Sequence, residues 1–212
     1  MKRLNQMRFL TFCCIAFAII LSGSTMGDDI GAKKRYRIEE GSKFYLKGTS
    51  NVNKFTCDCE DRFEMQELEI ESSGGYSRFR HANLALRVKN FNCHNRKIDA
   101  DMQKALQADA YPTIKVSLVD TWQQAKCMDG SCYNWFDVQA NVQITIAKVT
   151  SKEFIKAKAR MLGPNKFQLK GEKALQMSAF GIAPPEAMFG MIKVNDGIDF
   201  HFDVVVTVDE LL

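Results

Sequence analysis

From Ile198 to Val208 the chain reads IDFHFDVVVTV, with Ile198, Phe200, Phe202, Val204, Val206 and Val208 on one phase of a strict alternation. Period-two alternation over that length describes a β-strand with one face buried and one wet. A second run behaves the same way. Phe136, Val138, Ala140, Val142, Ile144 and Ile146 share one phase, and Asp137, Gln139, Asn141, Gln143 and Thr145 take the other. At about 3.3 Å per residue, each run spans roughly 35 Å. Tilted strands of that length suit a barrel of about eight strands better than a sandwich. Closure also removes apolar edges that would otherwise pair with other chains. The expected fold class is therefore all-β: an antiparallel eight-stranded barrel, apolar face inward.

The other segments fit this plan. Strands are expected at 35–40 and 43–47, broken at Gly41, then at 53–63 and 65–71. Leu84, Leu86 and Val88 alternate, and a change of phase at Phe91 predicts a β-bulge before Cys93. One short helix is expected at about 99–109, capped by Asp99 or Asp101 and ended by Tyr111-Pro112. Its stripe of Met102, Ala105 and Leu106 should pack against the sheet as a lid or plug. Strands resume around Ile114, Val116 and Leu118, and again around Ile155, Ala157, Ala159 and Met161. Turns are expected at Gly163-Pro164-Asn165 and at Asn195-Asp196-Gly197.

Residues 1–27 read as a secretory signal peptide. Lys2, Arg3 and Arg8 precede an uncharged apolar run, 9–21, and small residues follow at Ser22, Gly23 and Ser24. The run is short for a membrane span. Cleavage is expected between Ser24 and Asp28, leaving 28–212 as a single domain in the periplasm or outside the cell. Loss of the leader lowers the formal net charge from +4 to +1. A near-neutral mature chain offers no basis for nucleic-acid binding. No later apolar stretch approaches the length of a membrane span.

Export makes disulfides the expected state of Cys57, Cys59, Cys93, Cys127 and Cys132. Cys127 and Cys132 flank an Asp-Gly turn and are placed to clip a hairpin tip. Phe55-Thr56-Cys57 and Phe91-Asn92-Cys93 are matching pieces on separate predicted strands, which favours Cys57–Cys93. Cys59 is left as a competitor for Cys93 or a free thiol. A metal site is disfavoured: Cys57-Asp58-Cys59 is C-x-C, and His94 has no second histidine nearby. No metal and no cofactor are expected.

Catalysis has little support. The mature chain holds only His81, His94 and His201. His201 falls on the polar face of the closing strand, where it is expected to be exposed. Nucleophile-elbow, metalloprotease and phosphate-loop motifs are missing from the chain. No catalytic residue is expected. A binding interior fits better. Its wall would comprise Phe136, Val138, Ala140, Val142 and Ile144, with Ile155, Ala157 and Ala159 beside them and Phe200, Phe202 and Val204 closing the ring. Ala140, Ala157 and Ala159 either leave room for a ligand or face large neighbours in a packed core.

Several pieces, in order, resemble the YceI-like family of exported polyisoprenoid-binding proteins. They are Leu46-Lys47-Gly48-Thr49-Ser50-Asn51-Val52-Asn53-Lys54-Phe55, Ala105-Leu106 with Tyr111-Pro112-Thr113-Ile114, and Ile144-Thr145-Ile146-Ala147-Lys148-Val149-Thr150. Met177-Ser178-Ala179-Phe180-Gly181-Ile182 and Met188-Phe189-Gly190-Met191-Ile192-Lys193-Val194 complete the set. The Ser-Asn-Val-Asn and Phe-x-Cys pieces resemble a branch of Bacteroidetes type. The resemblance implies a lipocalin-like barrel with a long apolar tunnel, an apolar isoprenoid-type lipid as partner, and no catalytic machinery. Lys148 or Lys193 could meet a charged headgroup at the mouth. Lys148 stands where many members have glycine, and Ala179 where an acidic residue is common. Two other readings remain: a side-chain-filled barrel acting through its surface in the cell envelope, and a thiol-redox role for Cys59.

Overall fold

The computed structural model describes residues 31–123 and 131–210. The leader and Cys127 lie outside the described residues. In chain order the elements are β1 (Ala32–Ile38), β2 (Lys43–Ser50), β3 (Lys54–Cys59), β4 (Gln66–Ser73), β5 (Tyr76–Arg80), β6 (Asn83–Arg87) and β7 (Phe91–Asn92). Then follow the helix α1 (Arg96–Ala105), β8 (Thr113–Gln123), β9 (Phe136–Ile146), β10 (Val149–Gly163), β11 (Lys166–Gln176), β12 (Glu186–Ala187) and β13 (Ile192–Glu210).

Eight strands close into a ring in the order β1, β4, β5, β8, β9, β10, β11, β13, and β13 pairs back onto β1. Every pairing is antiparallel. The ring explains the two long runs read from sequence. β9 covers 136–146 as expected, whereas β13 extends to 19 residues. Its predicted turn at Asn195-Asp196-Gly197 is instead an irregularity inside the strand, where the register against β2 shifts between Val194 and Ile198. Asp196 keeps the bulge ordered by accepting the Ser178 N–H (2.7 Å) and hydroxyl.

The wall changes partners along its length. The lower part of β13 pairs with β2, its end with β1. The chain breaks between β1 and β2 at Gly41, whose φ of 86° suits a residue without a Cβ. β8 likewise pairs with β5 at one end and β6 at the other. β3 then reaches β7 through only two paired residues. The predicted bulge before Cys93 is a 3-10 turn, Val88–Asn90. The narrow β3–β7 seam is closed by Asp61. Its nearly buried carboxylate accepts the Arg87 N–H (2.6 Å), Arg87 Nε (2.5 Å) and Asn90 Nδ2 (2.6 Å).

Inside the ring, Phe44 stacks on Phe200 and meets Phe63 edge-on, and Phe200 tilts against Phe202. Leu86, Val88, Val142, Ile144, Ile155 and Val204 are buried around them. A Cβ on Gly171 would lie 2.7 Å from the Phe202 ring, so that ring occupies the space the glycine leaves. Aromatic side chains thus fill the part of the interior between β2 and β13. No helix among the described residues is long and apolar enough to cross a membrane.

Candidate functional site

At the helix end of the barrel the packing opens into a cavity of about 330 Å³. Its floor and walls come from the ends of inward-facing runs. Leu46 on β2, Phe55 and Cys57 on β3, Ile114 on β8, Ile146 on β9, Leu175 on β11 and Ile198 on β13 all line it. These positions are neighbours by register. Leu46 faces Cys57, and Leu175 faces Ile198. Gly48 pairs with Phe55, and a Cβ there would lie 2.3 Å from the Phe55 ring. Glycine at 48 therefore lets Phe55 lie flat against the wall.

The roof is α1. Ile98, Met102, Ala105 and Leu106 fall at helical spacing and line the cavity. Ile98, Met102 and Ala105 are only half-buried: they pack against the core at one side and face the hollow at the other. The helix begins earlier than predicted, at Arg96. Asn95 is the cap, accepting the Lys97 N–H (2.9 Å) and the Ile98 N–H (3.4 Å). Asp99, one of the expected caps, turns back to accept the Cys93 N–H (2.7 Å). Cys93 is joined to Cys57, so a disulfide fastens the entry of the roof to the β3 wall. The expected pairing of these two is present. Cys132 is also disulfide-bonded.

The third side is the segment after β11. A 3-10 turn, Met177–Phe180, ends at Gly181 (φ 70°), and Ile182, Pro185, Met188, Ile192 and Val194 then rim the opening. The polar contribution is small: Ser50, Asn53, Asn95, Lys97, Asp101, Gln176 and Glu186. Lys193 is ion-paired to Glu186 at 3.2 Å beside the mouth. Lys148 lies on the β9–β10 turn and does not line the cavity. The cation that does is Lys97, which the sequence reading did not single out.

The eleven wall residues expected from sequence sit elsewhere along the same inner face. Val142, Ile144, Ile155, Ala159 and Val204 are closed into the core, and Ala140 and Phe200 pack against it. Phe136, Val138, Ala157 and Phe202 border a second, wider hollow of about 1100 Å³. That hollow is also lined by Asp137, Lys156, Lys158, Lys170, Glu172 and Asp203. Mixed charge makes it a poor enclosure for an apolar chain. The helix stripe was the available signal for the real location of the apolar cavity.

His201 lies on the outer face but is not exposed as expected. It stacks on Tyr45 with centroids 4.7 Å apart, and its Nδ1 lies 3.4 Å from Glu172, leaving the side chain 14% exposed. Cys59 is a free, partly buried thiol whose Sγ lies 3.5 Å from Asp61. Burial pushes this thiol up to about 12. No cluster of His, Cys, Asp and Glu among the described residues is placed to hold a metal ion.

A ring of eight antiparallel strands with one capping helix and an apolar end-cavity defines a lipocalin-like barrel. A family model described as the YceI-like domain matches residues 39–206, and the chain belongs to that family. Among solved structures, a polyisoprenoid-binding domain from Saccharophagus degradans, implicated in plant cell wall breakdown, superposes with a TM-score of 0.59. It shares 9% identity, over 81% of this chain and 97% of that one. BcnA from Burkholderia cenocepacia superposes with a TM-score of 0.51 at 13% identity, over 77% and 95% of the respective chains. Comparison with curated proteins returned no match.

Proposed function

We propose that this chain is an exported, non-catalytic binding protein that holds an elongated apolar lipid, of polyisoprenoid type, in the end-cavity of its barrel. The observation that carries this reading is the apolar cavity of about 330 Å³ under α1, within the size range of small-molecule sites. Burial of apolar surface would supply the affinity, about 0.8 kcal/mol per methylene. Lys97, at the rim, is the cation best placed to meet an anionic headgroup. Family membership and the likeness to the Saccharophagus polyisoprenoid-binding domain support the same class of ligand. The leader read from residues 1–27 supports export, with 28–212 as the working domain.

The test is to purify the exported protein without denaturant, extract it with organic solvent and look for lipid by mass spectrometry. A stoichiometric isoprenoid, quinone or fatty acid supports the reading. A lipid-free protein that gains no thermal stability from added isoprenoid contradicts it.

The packed aromatic cluster between β2 and β13 favours one alternative, a surface-acting envelope protein with a side-chain-filled barrel. A redox role for Cys59 is opposed by its raised pKa, since the thiolate is the reactive form.

A further inference from the structure

We infer that the Met188–Met191 tip is a membrane-docking element that sets the mouth of the cavity against a lipid bilayer. The inference rests on the lipid-cavity reading and adds the surface from which the ligand arrives. The tip joins β12 to β13. Met188, Phe189 and Gly190 follow one another at φ of 50°, 56° and 84°. Two bulky residues in succession in the left-handed region are uncommon and cluster at functional sites.

The strained turn points apolar side chains outward. Phe189 is 107% exposed, Met191 64% and Met188 53%, and Val52 on the facing β2–β3 turn is 62% exposed. A soluble surface rarely gathers large apolar side chains without a partner for them. The tip is also held in place. Asn51 donates from Nδ2 to the Met191 carbonyl (2.8 Å), accepts the Lys193 N–H at Oδ1 (2.9 Å), and donates its own N–H to the Lys193 carbonyl (3.0 Å).

Two features select a bilayer as the occupant. Val52 and Met188 line the cavity as well as standing exposed, so the exposed apolar patch meets the cavity lining at these two residues. A chain passing over that junction would leave a membrane without crossing water. Charge is complementary too: exposed Arg96 and Lys97 open the helix that roofs the same cavity, and anionic headgroups attract such residues. The tip is a convex turn, suited to insertion among headgroups.

The experiment compares the exported wild type with a Phe189→Ser/Met191→Ser double variant. Binding to vesicles of phosphatidylethanolamine and phosphatidylglycerol is measured by co-sedimentation. Uptake of an apolar fluorescent probe delivered in ethanol reports the cavity separately. The wild type should bind vesicles, more weakly when phosphatidylglycerol is omitted. The double variant should lose at least tenfold in vesicle binding, with probe uptake and melting temperature unchanged. Vesicle binding without probe uptake would remove the cavity reading and leave the docking element standing. A wild type that ignores vesicles, or a variant that binds them equally well, overturns the inference; the first result would turn attention to a protein partner.

Discussion

Replacing Ala105 with phenylalanine should abolish binding without harming the fold. Ala105 lies in the roof helix, faces the cavity and is only half-buried. The cavity of about 330 Å³ has room for roughly eleven groups of about 30 Å³, the share of a water in the liquid and close to that of a methylene. Filling it transfers about 9 kcal/mol of apolar contact, against at least about 4 kcal/mol lost on association. The Ala105→Phe ring adds six carbons and takes about half that space. The ligand then loses about 4–5 kcal/mol, on the order of a thousandfold in affinity. The ring itself gains burial, so the melting temperature of the free protein should hold or rise. Fluorescent-probe titration and thermal unfolding on the same samples provide the assay. A variant that melts like the wild type and binds probe equally well would refute placement of the ligand under α1.

Other residues make separate predictions. Cys57 and Cys93 are 36 residues apart, and the bond should contribute about 4 kcal/mol by restricting the unfolded chain; Cys57→Ser/Cys93→Ser should lower the melting temperature by on the order of 10 °C, and no change would show that the seam holds without it. Asp61→Ala leaves the donors of Arg87 and Asn90 without their acceptor and should cost about 2–4 kcal/mol in urea unfolding; a loss below about 0.5 kcal/mol would mean the seam is not closed by Asp61. With its pKa raised to about 12, Cys59 should be overwhelmingly thiol at pH 8 and resist iodoacetamide until the protein unfolds; rapid labelling of native protein would contradict the burial.

The strand pattern was legible because a barrel wall obeys a single rule, alternation. β9 follows it from Phe136 to Ile146 without interruption. The rule says which face points inward but not which end of the barrel is hollow. That depends on where Phe44, Phe63, Phe200 and Phe202 converge, and they come from segments far apart in sequence. The helix boundary was misplaced because Asn95, Asp99 and Asp101 are all competent caps. Asn95 took the position because Asp99 is engaged by the Cys93 amide, next to the disulfide. His201 was misjudged because alternation assigns it to the wet face but cannot foresee Tyr45 lying across it.

The central claim is that ligand sits under α1. Photolabelling with a diazirine-bearing isoprenoid, followed by peptide mapping, tests it most directly. The account predicts label on 95–106 and 175–198, with Met102, Met177 and Ile198 among the modified residues. Label concentrated around Phe136, Ala157 and Phe202, or none that unlabelled isoprenoid can displace, would contradict it.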